Sequence, residues 1–160
     1  MSEDIKTTAE ALESAALQSH ARAVHCDPDA PASVEQQPLP EVIRRKPVSQ
    51  KSPAEWAYER LVLYIKNFEE QLDNSHEIAI GFTGSSSGVM RIEGIGFFDP
   101  DIVTFYGTDD HGSRTQLIQH VTQLNVMLRA LPIVQEQVKA NRIGFRLVAD
   151  LENTEAAEII

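Results

Sequence analysis

The chain has 160 residues, a single cysteine and a net charge of −10, with 42% of its residues hydrophobic. That length holds one domain with flanking segments. The lone Cys26 excludes a disulfide framework within one chain, and the acidity opposes a phosphate backbone unless the basic groups cluster. The start, Met-Ser-Glu-Asp-Ile-Lys, lacks the apolar stretch of a signal peptide. No run approaches the ~18 apolar residues of a membrane span, so a cytoplasmic protein without membrane contact is expected.

The two parts of the chain differ in composition. All ten aromatic residues lie at or after Trp56, and six of the eight prolines lie at or before Pro53. A segment without aromatics and rich in Pro, Ala, Ser and Glu buries too little apolar surface to offset its ordering entropy. Residues 1–52 are therefore expected to be a disordered tail and linker, residues 53–148 the domain, and residues 149–160 an acidic tail. Six Lys/Arg stand against eight Asp/Glu before residue 53, and eight against sixteen after it, so the domain carries the acidity.

Within the tail, residues 5–24 are Ala-rich, and Leu12, Ala16 and Leu17 share only a thin helical face. Four prolines in 27–40 read as an extended linker. His25-Cys26 is an isolated pair, far short of the four ligands of a zinc site. Arg44, Arg45, Lys46 and Lys51 form a short basic cluster, read more readily as solvated linker than as an anion contact.

The first strong element starts at Ser52. Ser52-Pro53-Ala54-Glu55 has the form of a capping box with proline at the first helical position. Ala57, Leu61, Ile65, Phe68 and Leu72 then recur at three- and four-residue spacing, widened by Trp56, Val62 and Leu63, until Asp73-Asn74-Ser75 stops the helix. Strands follow from Glu77 to Pro132. Glu77–Phe82 alternates Ile78 and Ile80 on one side. In Val89–Asp99, Met90 and Ile92 point inward until Gly94 and Gly96 shift the apolar set to Ile95 and Phe97, the mark of a bulge. Asp99-Pro100-Asp101 turns the chain into Asp101–Gly107, and Asp109–Gly112 closes a hairpin. Residues 115–131 fit a helix through Leu117, Val121, Leu124, Leu128 and Leu131, but the hairpin favours two strands turned at Thr122-Gln123. Gly144–Val148 reads as a last strand, with Asp150–Ile160 frayed. The fold class is α+β: a capped amphipathic helix on a small, bent antiparallel barrel or sheet.

Several stretches suggest chemistry and yield to plainer readings. Gly84-Ser85-Ser86-Ser87-Gly88 matches the Gly-x-Ser-x-Gly nucleophile pattern, yet it joins strand to strand in a domain too small for a nucleophile elbow. It also lacks the lysine and following helix of a phosphate cradle. Asp99, Asp101, Asp109, Asp110 and His111 lack the spacing of a calcium loop and suit ordinary turns. His120 is the best single candidate: it sits on an apolar strand, histidine is the residue type that ordinarily changes charge near neutral pH, and it would serve as a ligand contact or as a hydrogen-bonded interface or core residue.

Pro53-Ala54-Glu55-Trp56-Ala57-Tyr58-Glu59-Arg60-Leu61, the turn at 96–101, Phe105-Tyr106-Gly107, Gln116–Val121 and Arg142-Ile143-Gly144-Phe145 resemble the motif set of the bacterial family known as domain of unknown function 6173. The likeness spans about residues 53–148. It implies a soluble bacterial domain and no particular activity. A second likeness is to Sm-like barrels of the Hfq type, in the order of helix, Gly94-bearing strand, Phe98-Asp99 turn, apolar strand and Gln119-His120. Gln119 stands where those barrels carry the basic residue that meets phosphate. The resemblance thus implies a ring-forming barrel more than RNA binding.

The expected function is a non-enzymatic interaction or scaffold domain. An Sm-like RNA-binding ring is the alternative, and a small serine hydrolase a distant third. The candidate ligand or interface residues are His120, Gln119, Phe98 and Asp99, with no catalytic set, cofactor or metal. The expected partner is a second copy of the chain, with a further protein contact through the tail; nucleic acid is the weaker expectation.

Overall fold

The structure is a computed structural model that describes residues 21–82, 88–134 and 139–158. The chain divides into two compact units, Met1–Gln50 and Lys51–Ile160. In the first, short turns occupy Val34–Gln36, Glu41–Arg44 and Val48–Gln50, so the proline-rich stretch is not uniformly extended. The Gln36 side chain ties one of these turns together, accepting from the Ser33 amide at 3.1 Å and donating to the Ala23 carbonyl at 3.2 Å.

The second unit opens with helix α1, Pro53–Glu70. The Ser52 hydroxyl accepts from the Glu55 amide at 3.0 Å, which satisfies one of the orphan donors of the first turn. The Ala54 amide donates to the Pro100 carbonyl at 3.0 Å. One face of α1 buries Ala54, Tyr58, Val62 and Ile65, three of them fully shielded from solvent. A fully buried side chain the size of Val or Ile contributes about 1.5–3 kcal/mol.

Five antiparallel strands follow: β1 (His76–Phe82), β2 (Val89–Phe98), β3 (Ile102–Thr108), β4 (Arg114–His120) and β5 (Val126–Pro132). Their order is β4-β3-β2-β1-β5, a sheet with β4 and β5 at its two edges. It is an open sheet, not a closed barrel. The register shift between Ile92 and Gly94 gives β2 its bulge where the glycines foretell it. One such bend leaves the two edges unjoined, since the β1–β5 ladder uses only one side of β5. Residues 115–131 are two strands separated by the turn Val121–Gln123.

The core lies between the sheet and α1. Ile78, Ile80, Met90, Ile92, Ile95, Val103 and Phe105 meet Tyr58, Val62 and Ile65 there, and the Phe97 ring packs on Tyr58 at 5.0 Å. Residues 77–80 are buried on both faces of β1, which makes it the most enclosed strand. Gly107 allows β3 to press on β2, where a Cβ would overlap the Arg91 carbonyl.

The carboxyl-terminal reading needs correction. Residues 144–148 are not a strand, and most of the acidic stretch after them is not frayed: both belong to helix α2, Gly144–Glu158. Ile143, Leu147 and Leu151 recur at four-residue spacing and join the core beside α1. A short run such as Gly-Phe-Arg-Leu-Val alternates like a strand, and the helical period shows only when the window crosses Asp150.

Candidate functional site

The four candidate residues converge at one end of the sheet. Phe98 pairs with Ile102, which pairs with His120, so these three form one row across β2, β3 and β4. The tight turn between β2 and β3 places Asp99 and Asp101 beside them. Asp99 accepts from the Ser52 hydroxyl, so it belongs to the cap of α1. Asp101 takes His120 Nε2 at 2.8 Å, and its carbonyl accepts from the Val121 amide at 2.9 Å.

The Thr122 amide donates to His120 Nδ1 at 3.2 Å, which makes Nδ1 an acceptor and puts the ring proton on Nε2, facing Asp101. The Thr122 hydroxyl also meets Nδ1, at 2.7 Å. Both ring nitrogens are engaged, so the imidazole orients the end of β4. Gln119 Nε2 reaches the Gln123 carbonyl at 3.5 Å across the same turn. Phe98 is 76% exposed and is the apolar member of the group. Taken together, these residues can lock a corner and offer one aromatic side chain to a neighbour.

The remaining aspartates serve as turn formers. Asp109 Oδ1 accepts from the His111 and Ser113 amides, both at 2.9 Å, and Gly112 completes the hairpin with φ of +76°. Among the described residues, no group of three or more His, Cys, Asp or Glu is placed to hold a metal ion. The serine loop lies outside the described residues except for Gly88. The basic cluster does not act as a unit: Arg45 meets Glu41 at 3.8 Å, while Lys51 is buried against Glu59 at 2.7 Å.

The sequence reading missed a second polar cluster, at the start of α2. Glu69 and Glu77 are 6% and 2% exposed. Glu69 accepts the Ile143 amide at 3.2 Å and the Gly144 amide at 3.3 Å. Glu77 accepts the Asn141 amide at 3.0 Å and binds Arg91 Nη1 at 2.5 Å. Arg142 donates to the His76 and Asp73 carbonyls, both at 2.9 Å. Burial pushes the Glu69 carboxyl above its ordinary range, against the two amides and Arg142. Nearby, Ser75 and His76 hold the exposed Asp73 carboxyl well below its own. The only hint in the sequence is Glu69, an acidic residue that follows Tyr58, Val62 and Ile65 at helical spacing on the buried face of α1. Glu69 and Glu77 accept backbone amides from 141–144 and Arg142 donates to backbone carbonyls before β1, so together they fasten the start of α2 to the rest of the domain.

No helix among the described residues is long and apolar enough to cross a membrane. No curated protein and no solved structure matches the chain. A family model does match, over residues 47–146, and the stretches that carry the resemblance now have physical reasons: Pro53–Leu61, 96–101 and Gln116–Val121 meet at the corner of Ser52, Asp99, Asp101 and His120, while Arg142–Phe145 carries the amides that Glu69 holds. The chain belongs to the family of unknown function DUF6173.

Proposed function

We propose that this domain is a non-enzymatic interaction module that associates with copies of itself through the edges of its sheet. The observation behind this reading is the strand order, in which β4 and β5 are outermost and each runs for seven residues. An outermost strand presents a row of backbone donors and acceptors that another chain can pair with. Protection is slight: Arg114 and Arg129 are the only charges on these strands, and Ile118 and Met127 are 64% and 45% exposed.

An Sm-like RNA-binding ring is the second reading. It is favoured by a helix followed by five antiparallel strands with a bulge in β2 and a histidine ending β4. The acidity of the domain and Gln119 in place of a basic residue weigh against it.

Light scattering at micromolar concentration should give at least twice the chain mass, with little change in high salt, because apolar burial and backbone pairing are barely screened. A strictly monomeric mass would defeat both readings. Single-stranded RNA separates them: the ring would bind it, with affinity falling steeply between low and physiological salt.

A further inference from the structure

The two outermost strands are not equivalent as pairing surfaces. What little protection the sheet has falls on β5, which carries Arg129 at its centre and Pro132 at its end. In a full-length antiparallel pairing of two β5 strands Arg129 would stand opposite itself, and proline has no N–H to offer a neighbour. β4 has no proline and no arginine, lysine or acid between its ends. It pairs with β3 along all seven residues and, among the described residues, with no strand on its other side. Ile118, near its middle, is exposed.

The two ends of β4 differ in charge. Arg114 stands at its start, and among the described residues no acid is ion-paired with it. At the far end the Asp101 carboxylate bonds His120 Nε2, and its side chain stays 39% exposed. Asp109 and Asp110 lie in the hairpin before Arg114, where Asp109 Oδ1 is taken by the His111 and Ser113 amides.

We infer that two copies of the domain join β4 to β4, antiparallel about a two-fold axis, with Leu117 opposite Leu117 of the partner subunit. This rests on the reading that copies associate through sheet edges, and narrows it to one edge, one direction and one register. It is the symmetric register that pairs all seven residues. Gln116 then lies against the partner's Ile118, and Arg114 against the partner's His120, beside the partner's Asp101. Each copy supplies a cation at one end and an anion at the other, so charge complementarity selects a second copy of this chain. A parallel pairing in register would set Arg114 beside the partner's Arg114, which is unfavourable. Continued past Arg114, the register brings residues 111–113 to the turn at 121–123 of the other copy, which holds no acid, so the hairpin aspartates meet no like charge there. The end charges fix direction and register more than they add affinity, which comes from backbone pairing and from Leu117 and Ile118.

Site-directed spin labelling of the full chain tests this. Cys26→Ser removes the only cysteine, and Gln116→Cys, Ile118→Cys or Met127→Cys then each carries one nitroxide. In the inferred register the two labels at 116 sit on diagonal neighbours, as do the two at 118, with backbones about 7–8 Å apart. Both spectra should broaden through spin–spin coupling and sharpen on dilution with unlabelled chain, whereas a label at 127 on β5 should not broaden. Arg114→Glu should shift the mass in light scattering toward a single chain and leave circular dichroism unchanged. A strictly monomeric mass for the unmodified chain overturns this inference together with self-association. A multimeric mass with no broadening at 116 and 118, or with broadening at 127, overturns the inference alone, since the copies would then meet through β5. Broadening at 118 without 116 would show a slipped register and also overturns it, as does a mass that Arg114→Glu leaves unmoved.

Discussion

Glu69→Ala removes the carboxylate that holds the start of α2 and leaves two enclosed donors, the Ile143 and Gly144 amides, without acceptors. A buried donor left unsatisfied costs about 1–3 kcal/mol. Part of that is offset, because the substitution also relieves the burial penalty that raises the Glu69 pKa. The expected net loss is about 2–4 kcal/mol. Glu69→Gln should fall between, since an amide offers one acceptor and turns its own N–H bonds toward the second donor. Urea unfolding followed by circular dichroism measures the loss. Hydrogen exchange should quicken first in residues 143–151 while β2 and β3 stay protected. A loss below about 0.5 kcal/mol would refute the reasoning, because the amides would then have found water or another acceptor. The same carboxylate predicts a pH dependence. A carboxyl whose folded pKa is raised binds its proton more tightly in the folded state. Its contribution is full below the unfolded value of about 4.3 and is lost as pH rises through the folded one. Burial raises the Glu59 carboxyl too, with Lys51 opposing. Stability should therefore climb as pH is lowered from neutrality toward the unfolded carboxyl value of about 4.3, and Glu69→Gln should flatten the climb. Asp73, whose pKa is depressed, withdraws its contribution only in stronger acid.

Two other substitutions probe the remaining anchors. Ser52→Ala removes both the acceptor for the Glu55 amide and the donor to Asp99, and should cost about 1–2 kcal/mol in thermal unfolding; no change within error would mean that the cap adds nothing to stability. Arg91→Leu strips the buried Glu77 of its guanidinium and should cost about 3 kcal/mol, partly recovered by adding Glu77→Gln; equal losses in the single and double variants would show that the damage comes from packing and not from the stranded charge.

The parts of the fold that can be read from the sequence are those whose determinants are close together along the chain. Ser52 to Glu55 spans one turn, so the start of α1 is visible as a cap. The bulge in β2 follows from Gly94 and Gly96 breaking an alternation within ten residues. The hairpin at Asp109–Gly112 settles 115–131 as strands although the apolar spacing also fits a helix. What escapes depends on distant partners. Glu69 binds amides 74 and 75 residues away. Both nitrogens of His120 are taken, and one of the partners, Asp101, is 19 residues back. The surroundings of a titratable side chain on a strand become legible only with those partners. The helix Gly144–Glu158 was obscured differently, since its apolar period begins in a strand-like run and continues into an acidic stretch.

The family match ends at residue 146, three residues into α2. A gene trimmed to residues 47–146 would therefore encode all five strands and yet amputate Leu147, Val148 and Leu151, which pack on the core beside α1. The Glu69 clasp would hold a stub of three helical residues, and the core beside α1 would lose those apolar side chains. For anyone expressing, crystallising or transplanting this domain, the safe cut lies beyond Glu158.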